Sequence, residues 1–149
     1  MLWVRVFNPS APNASVNALA IVDTGADDCV FPAKFAAALN HNLKSVKAKP
    51  MGTVNGQTFA YPHICTIQVL NMLDNGRAGD KILYTLNDVL IDFAERCEPF
   101  LLGAKQFLSK FVLTIDYPNQ VFSIRNPKSK YSPPPFPACQ RPAGKKDNS

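Results

Sequence analysis

Residues 20–31 read AIVDTGADDCVF. Ala20, Ile21 and Val22 form a β-prone lead into Asp23-Thr24-Gly25. Ala26 and the acidic pair Asp27-Asp28 follow, then Val30 and Phe31. A carboxylate placed directly after such a run is costly to bury unless it is hydrogen-bonded, paired or used. Gly25, two residues on, lets the backbone turn sharply and lets another chain approach closely. The layout is that of an acid held at a strand end on a rigid turn, which makes Asp23 a candidate catalytic aspartate. Asp, Thr and Gly suit an ordinary strand-to-turn corner equally well. The tripeptide therefore does not decide alone, and the surrounding chain must.

Working outward, the N-terminus MLWVRVFNPS alternates Leu2, Val4 and Val6 with Trp3, Arg5 and Phe7, the pattern of a first strand. It lacks the build of a secretory signal. Ser10 to Asn13 reads as a loop and Val16 to Val22 as the strand that arrives at Asp23. Cys29 to Phe31 is a short extended piece. Pro32 suits a helix start, and Ala33 to Leu39 is helical by propensity. From Lys44 to Tyr61, two alternating runs flank Asn55-Gly56, a strong hairpin signal, with Gly52 near the tip. Ile64 to Met72 is a strand. Lys81 to Phe93 reads as strands broken at Asn87-Asp88. Phe100-Leu101-Leu102-Gly103 reads as a buried strand, followed by a short helix over residues 104–110. Phe111 to Asp116 and Val121 to Arg125 pair across the turn Tyr117 to Gln120. Many short strands, two short helices and Gly/Pro turns predict a mainly β, closed barrel.

Composition bounds the function. With 46% apolar and 18% charged residues, 149 residues suffice for one globular core. Two units are expected: a domain over residues 1–126 and a Pro/Lys-rich disordered tail over residues 127–149, which holds six of the 13 prolines. The net charge of +5 sits mostly in that tail, where five basic residues face Asp147. Residues 1–126 carry 11 basic and 10 acidic residues. The folded part is nearly neutral, so no nucleic-acid partner is expected. No apolar run reaches the roughly 18 to 20 residues of a membrane span. Cys29, Cys65, Cys97 and Cys139 lack C-x-x-C spacing and form no zinc pattern with His41 and His63. They read as free thiols of a reducing compartment, so a cytoplasmic protein without metal or other cofactor is expected.

Three features now stand in order: Asp23-Thr24-Gly25-Ala26-Asp27-Asp28 after an apolar run, a Gly-bearing hairpin about thirty residues on, and Leu101-Leu102-Gly103 before a short helical segment. In these the chain resembles the retropepsin family, the retroviral-type aspartic proteases and their cellular relatives, over residues 1–126. The hairpin Phe111 to Arg125 looks more like the non-viral members. The resemblance implies a retropepsin-like acid-protease barrel, a functional homodimer and a polypeptide substrate. Cleaving an amide with water needs a base for the water proton and an acid for the carbonyl oxygen. Two carboxylates about 3 Å apart share one proton and serve both roles, as in the aspartic-protease dyad. One chain supplies one Asp-Thr-Gly, so the second Asp23 must come from another copy.

By the same resemblance, Thr24 bonds across the two-fold axis, and Gly25 offers its carbonyl to substrate. Ala26 and Asp27 line the cleft, and Asp28 faces a side-chain subsite. Val30 and Leu101 form apolar walls. Met51, Gly52, Thr53, Val54, Asn55 and Gly56 belong to a flap that closes over the peptide. Two departures stand out. Ala104-Lys105-Gln106 follows Gly103 where the family commonly has Arg, and lysine lacks the bidentate fork. The flap also lacks a glycine-rich run. These departures motivate an alternative, a retropepsin-fold module that binds peptide or dimerises with little catalysis.

Overall fold

The computed structural model describes residues 1–53 and 56–127; the expected tail beyond Pro127, with Cys139, lies outside the described residues, as do Val54 and Asn55. The fold is mainly β. In chain order the strands are β1 (Leu2–Asn8), β2 (Ala11–Val22), β3 (Cys29–Pro32), β4 (Lys49–Thr53), β5 (Gly56–Met72), β6 (Ala78–Ala94), β7 (Leu101–Leu102), β8 (Val112–Asp116) and β9 (Val121–Arg125). The first seven form one sheet in the order β1-β2-β7-β3-β6-β5-β4. β5 also pairs antiparallel with β1, from Val4↔Val69 to Phe7↔Thr66, so the ladder returns to its first strand. β8 and β9 form a separate two-stranded sheet.

The period-2 pattern fixes which face is inside. Val4, Val6, Ala18, Ala20, Cys65, Ile67 and Val69 are buried in one cluster with Phe31, Ile91, Phe93, Leu102 and Phe107. Their alternate neighbours Arg5, Asn17 and Gln68 point the other way and line an outer polar groove. In β2 the inward residues are small alanines, while Leu19 and Ile21 stay 38% and 39% exposed on the outer face.

Several expectations are corrected. The predicted loop Ser10 to Asn13 is shorter, because β2 begins at Ala11 and a bulge between Phe7 and Asn8 absorbs the extra residues. β6 is one strand rather than two. The predicted break at Asn87-Asp88 is a bulge in its ladder with β5, and Asp88 takes φ 55° there. β5 likewise runs on through Pro62. β4 stops pairing at Lys49↔Ala60 and β1 starts at Phe7↔Thr66, so the missing N–H of Pro62 falls where one flank of β5 has no strand partner.

Neither predicted helix forms as an α-helix. Ala33 to Leu39 makes two 3-10 turns, Ala33–Phe35 and Ala37–Leu39, closed by Asn40 in the left-handed region. Seven residues do not repay helix nucleation, and burial of Ala36 and Leu39 in the core holds the turns instead. A further 3-10 turn, Leu43–Ser45, was not foreseen. In residues 104–110 only Leu108–Lys110 is helical, a 3-10 turn. Before it, the Leu108 and Ser109 N–H groups reach back five residues to the Gly103 and Ala104 carbonyls, a wider spacing than an α-helix uses.

Candidate active site

Asp23 sits just past the end of β2, half-buried, on the loop to β3. Its loop is anchored from below by β7, which lies parallel to β2 with Ile21↔Leu101 and Val22↔Leu102 in register. The Ile21 N–H donates to the Phe100 carbonyl at 2.8 Å, and the Asp23 N–H donates to the Leu102 carbonyl at 3.1 Å. The Gly25 N–H turns back and donates to Asp23 Oδ1 at 2.9 Å. A Cβ on Gly25 would stand 3.3 Å from that same oxygen, so glycine leaves the carboxylate room.

The far side of the loop is clamped by the segment after β7. The Ala104 and Lys105 N–H groups donate to the Ala26 and Asp27 carbonyls, both at 2.8 Å. Gly103 lies against the Asp28 backbone so closely that a Cβ there would collide with it. Lys105 Nζ is 3.0 Å from Asp27 Oδ2. A lysine ammonium makes one such bond where a guanidinium would make a fork.

Asp28 is more enclosed. Gln106 Nε2 donates to its Oδ1 at 2.9 Å and Lys49 Nζ to its Oδ2 at 3.3 Å. The Gln106 bond, with Lys49, holds its carboxyl below the usual carboxylate range against a smaller effect of burial. The same Lys49 ammonium is 2.7 Å from Oδ2 of Asp92, which is 2% exposed. This contact is an ion pair at close range without aligned hydrogen-bond geometry, and neither Asp92 oxygen has a hydrogen bond. Burial pushes the Asp92 carboxyl up, Lys49 opposes that shift, and Asp28 adds to it. The place of Asp92 in β6, between β3 and β5 and opposite Val30 and Pro62, is what buries it.

Val30, Leu101 and Met51, three residues from distant parts of the chain, meet in one small apolar cluster with Ala60, Ala94 and Cys97. Val30 pairs directly with Leu101 across β3 and β7. Met51 comes from the hairpin of β4 and β5, whose ladder runs from Lys49↔Ala60 to Thr53↔Gly56. Gly52 is exposed, and Thr53 Oγ1 donates to the Gly56 carbonyl at 2.8 Å near the tip. Gly56 has φ +109°, a value that favours glycine. Asn55-Gly56 was read as the turn itself, but Gly56 is already the first residue of β5. Val54 and Asn55 complete the predicted set and lie outside the described residues.

Lys49, Ala60, Asp92, Ala94, Cys97 and Gln106 were not singled out as site residues. Alternation in the hairpin runs did not mark Ala60 as inward, since its neighbour Phe59 is the exposed one, and the Lys49–Asp92 and Gln106–Asp28 contacts join residues far apart in sequence and leave no local pattern. Several polar side chains outside the predicted set have other surroundings. Arg5 donates to Asn17 Oδ1 on the outer face. His63 is buried, with Nε2 3.2 Å from the Leu43 carbonyl, and its ring lies 4.6 Å from that of His41. Burial pushes the Cys29 thiol up to about 11 and the Cys65 thiol to about 12, so both are inert buried groups at neutral pH. Among the described residues, no group of three or more metal-ligating side chains is placed to hold a metal ion, and no helix is long and apolar enough to cross a membrane.

A shallow apolar hollow of about 400 Å³ opens beside the Asp23 loop. Met1, Ile21, Val22 and Thr24 line one side, and β8 and β9 supply Leu113, Ile115, Val121 and Phe122 on the other. No family model matches the chain, and no curated protein matches it.

Proposed function

We propose that this chain is an aspartic endopeptidase of retropepsin type, active as a symmetric homodimer. The observation that carries the reading is the way Asp23 is held. Gly25 fixes one carboxylate oxygen, Leu102 fixes the Asp23 backbone, and Gly103 wedges the loop from behind. The Gly25 bond alone is one an ordinary Asx turn makes; the added clamp from Leu102 and Gly103 holds the acid's backbone in one orientation, which supports a preorganised catalytic group. The β1–β5 pairing supports a closed retropepsin-like barrel over residues 1–126. The half-exposed β4–β5 hairpin supports a flap, with Met51 contributing to a wall shared with Val30 and Leu101.

In this reading a second copy of the chain brings its own Asp23 to the first. Two carboxylates at about 3 Å hold one proton between them. The ionised partner takes a proton from water, and the protonated partner donates to the substrate carbonyl oxygen as the water adds. Their titration belongs to the pair. The apolar hollow that includes Thr24 supports the surface where the copies meet, because Ile115, Tyr117 and Val121 are 46%, 81% and 57% exposed in the single chain. Substrate lies extended between hairpin and floor, adding a strand to the edge strand β4.

The test is peptide-library cleavage by the wild type and by Asp23→Asn. Loss of all cleavage in a folded variant supports the reading; equal cleavage overturns it. Lys105 in place of a bidentate arginine favours a second reading, a peptide-binding module with little turnover. Tight binding of a statine-type peptide without measurable wild-type cleavage would select that one.

A further inference from the structure

Lys49 lies between two acids of different exposure. Its ammonium is 2.7 Å from Oδ2 of buried Asp92 and 3.3 Å from Oδ2 of Asp28, whose side chain is 30% exposed. The other nearby charges are already matched, since Lys105 pairs with Asp27 at 3.0 Å. Gln106, which donates to Asp28 Oδ1, is neutral. Cys29, the remaining titratable neighbour on β3, stays a neutral thiol. Two carboxylates and one ammonium leave the corner with one surplus negative charge when both acids are ionised. The shorter contact goes to buried Asp92 and the aligned hydrogen bond to Asp28, so the two acids share one cation and the more exposed Asp28 carries the surplus outward.

We propose that Asp92 is a positioning residue which, by drawing Lys49 away from Asp28, makes the subsite beside Asp28 selective for a basic side chain of the polypeptide substrate. The proposal rests on the endopeptidase reading and concerns the specificity of that same site. Asp92 itself touches no substrate. It acts through Lys49, at the root of the hairpin, and through the charge that Asp28 presents. The geometry separates this role from mere support: an isosteric change at Asp92 removes a charge without removing volume, and releases Lys49 to neutralise Asp28.

The experiment compares kcat/KM for two peptides that differ only in lysine or norleucine at the position facing Asp28. Wild type should prefer lysine. Asp92→Asn should lower the lysine-to-norleucine ratio about five- to tenfold, mainly through KM, with norleucine cleavage retained. Lys49→Met should raise the ratio. An unchanged ratio in Asp92→Asn, with norleucine cleavage intact, overturns the proposal. Carboxyl NMR titration gives a readout independent of cleavage. The Asp28 titration should move down in Asp92→Asn and up in Lys49→Met, and an Asp28 that does not respond to either change overturns the shared-cation geometry. A wild type that cleaves neither peptide fails the endopeptidase reading and the specificity claim with it, whereas cleavage with an unmoved ratio fails the specificity claim alone.

Discussion

Gly103 is pressed against the backbone of Asp28, so that the strand-end glycine of β7 and the acidic loop after β2 fill one space. No side chain fits between them. The contact ties together two sequence features some eighty residues apart, and it explains why a glycine must follow Leu101-Leu102.

Gly103→Ala is therefore expected to be disruptive well beyond its size. The added Cβ must displace the Asp28 carbonyl, which is backbone and cannot rotate away. Overpacking of this kind costs about 1–3 kcal/mol. Urea denaturation should show a lower midpoint with an unchanged slope, and peptide cleavage should fall more than stability does, because the loop carrying Asp23 is what moves.

Leu102→Ala tests the same clamp from the core side. Leu102 is fully buried in the main cluster while its carbonyl receives the Asp23 N–H. Truncation should cost about 2–5 kcal/mol, the range for a buried leucine. The backbone bond survives the substitution, so the activity per folded molecule should drop less than in Gly103→Ala.

A charge in the apolar hollow should separate the copies. Val121→Lys places an ammonium on an exposed face beside Thr24, cross-strand from Asp116, where it meets no like charge. In a single chain this substitution is nearly neutral for folding, since Val121 is more than half exposed. Sedimentation velocity should show a shift from dimer to monomer, with loss of cleavage and an unchanged melting curve at low concentration.

Acid should weaken the fold through the histidine pair. Burial, and then the neighbouring His63, hold His41 below the ordinary histidine range. A group depressed in the folded state is neutral there while the unfolded chain already binds a proton. Stability is thus fully present above the unfolded value of about 6.5 and is lost as pH falls toward the folded value. His41→Gln should flatten this part of the pH–stability curve, measured by chemical denaturation between pH 7 and pH 5.

How far these features were legible in the sequence depended on their range. Alternation in residues 2–7 and 16–22 located β1 and most of β2, since period 2 is a local signal. Asp23-Thr24-Gly25 and Leu101-Leu102-Gly103 were visible as motifs, and their contact was implied only by resemblance. The break at Asn87-Asp88 was visible too, but a bulge and a strand end look alike without a partner strand. Residues 62 and 63 fell between the expected hairpin and the expected strand from Ile64, and the gap between β4 and β1 that accommodates Pro62 is a property of the assembled sheet. Ala33 to Leu39 has helical propensity, yet too few residues to use it. Asp92 was not singled out, because nothing local announces that Lys49 will reach it.

In the endopeptidase reading Asp23 is half of a site, completed by Asp23 of a second copy. Adding increasing Asp23→Asn chain to a fixed amount of wild type, while following cleavage of one peptide and the mass of the mixed dimers, tests it most directly. Activity should fall as wild-type homodimers are replaced by mixed dimers, toward zero in excess variant. Full activity retained while mixed dimers form would contradict it.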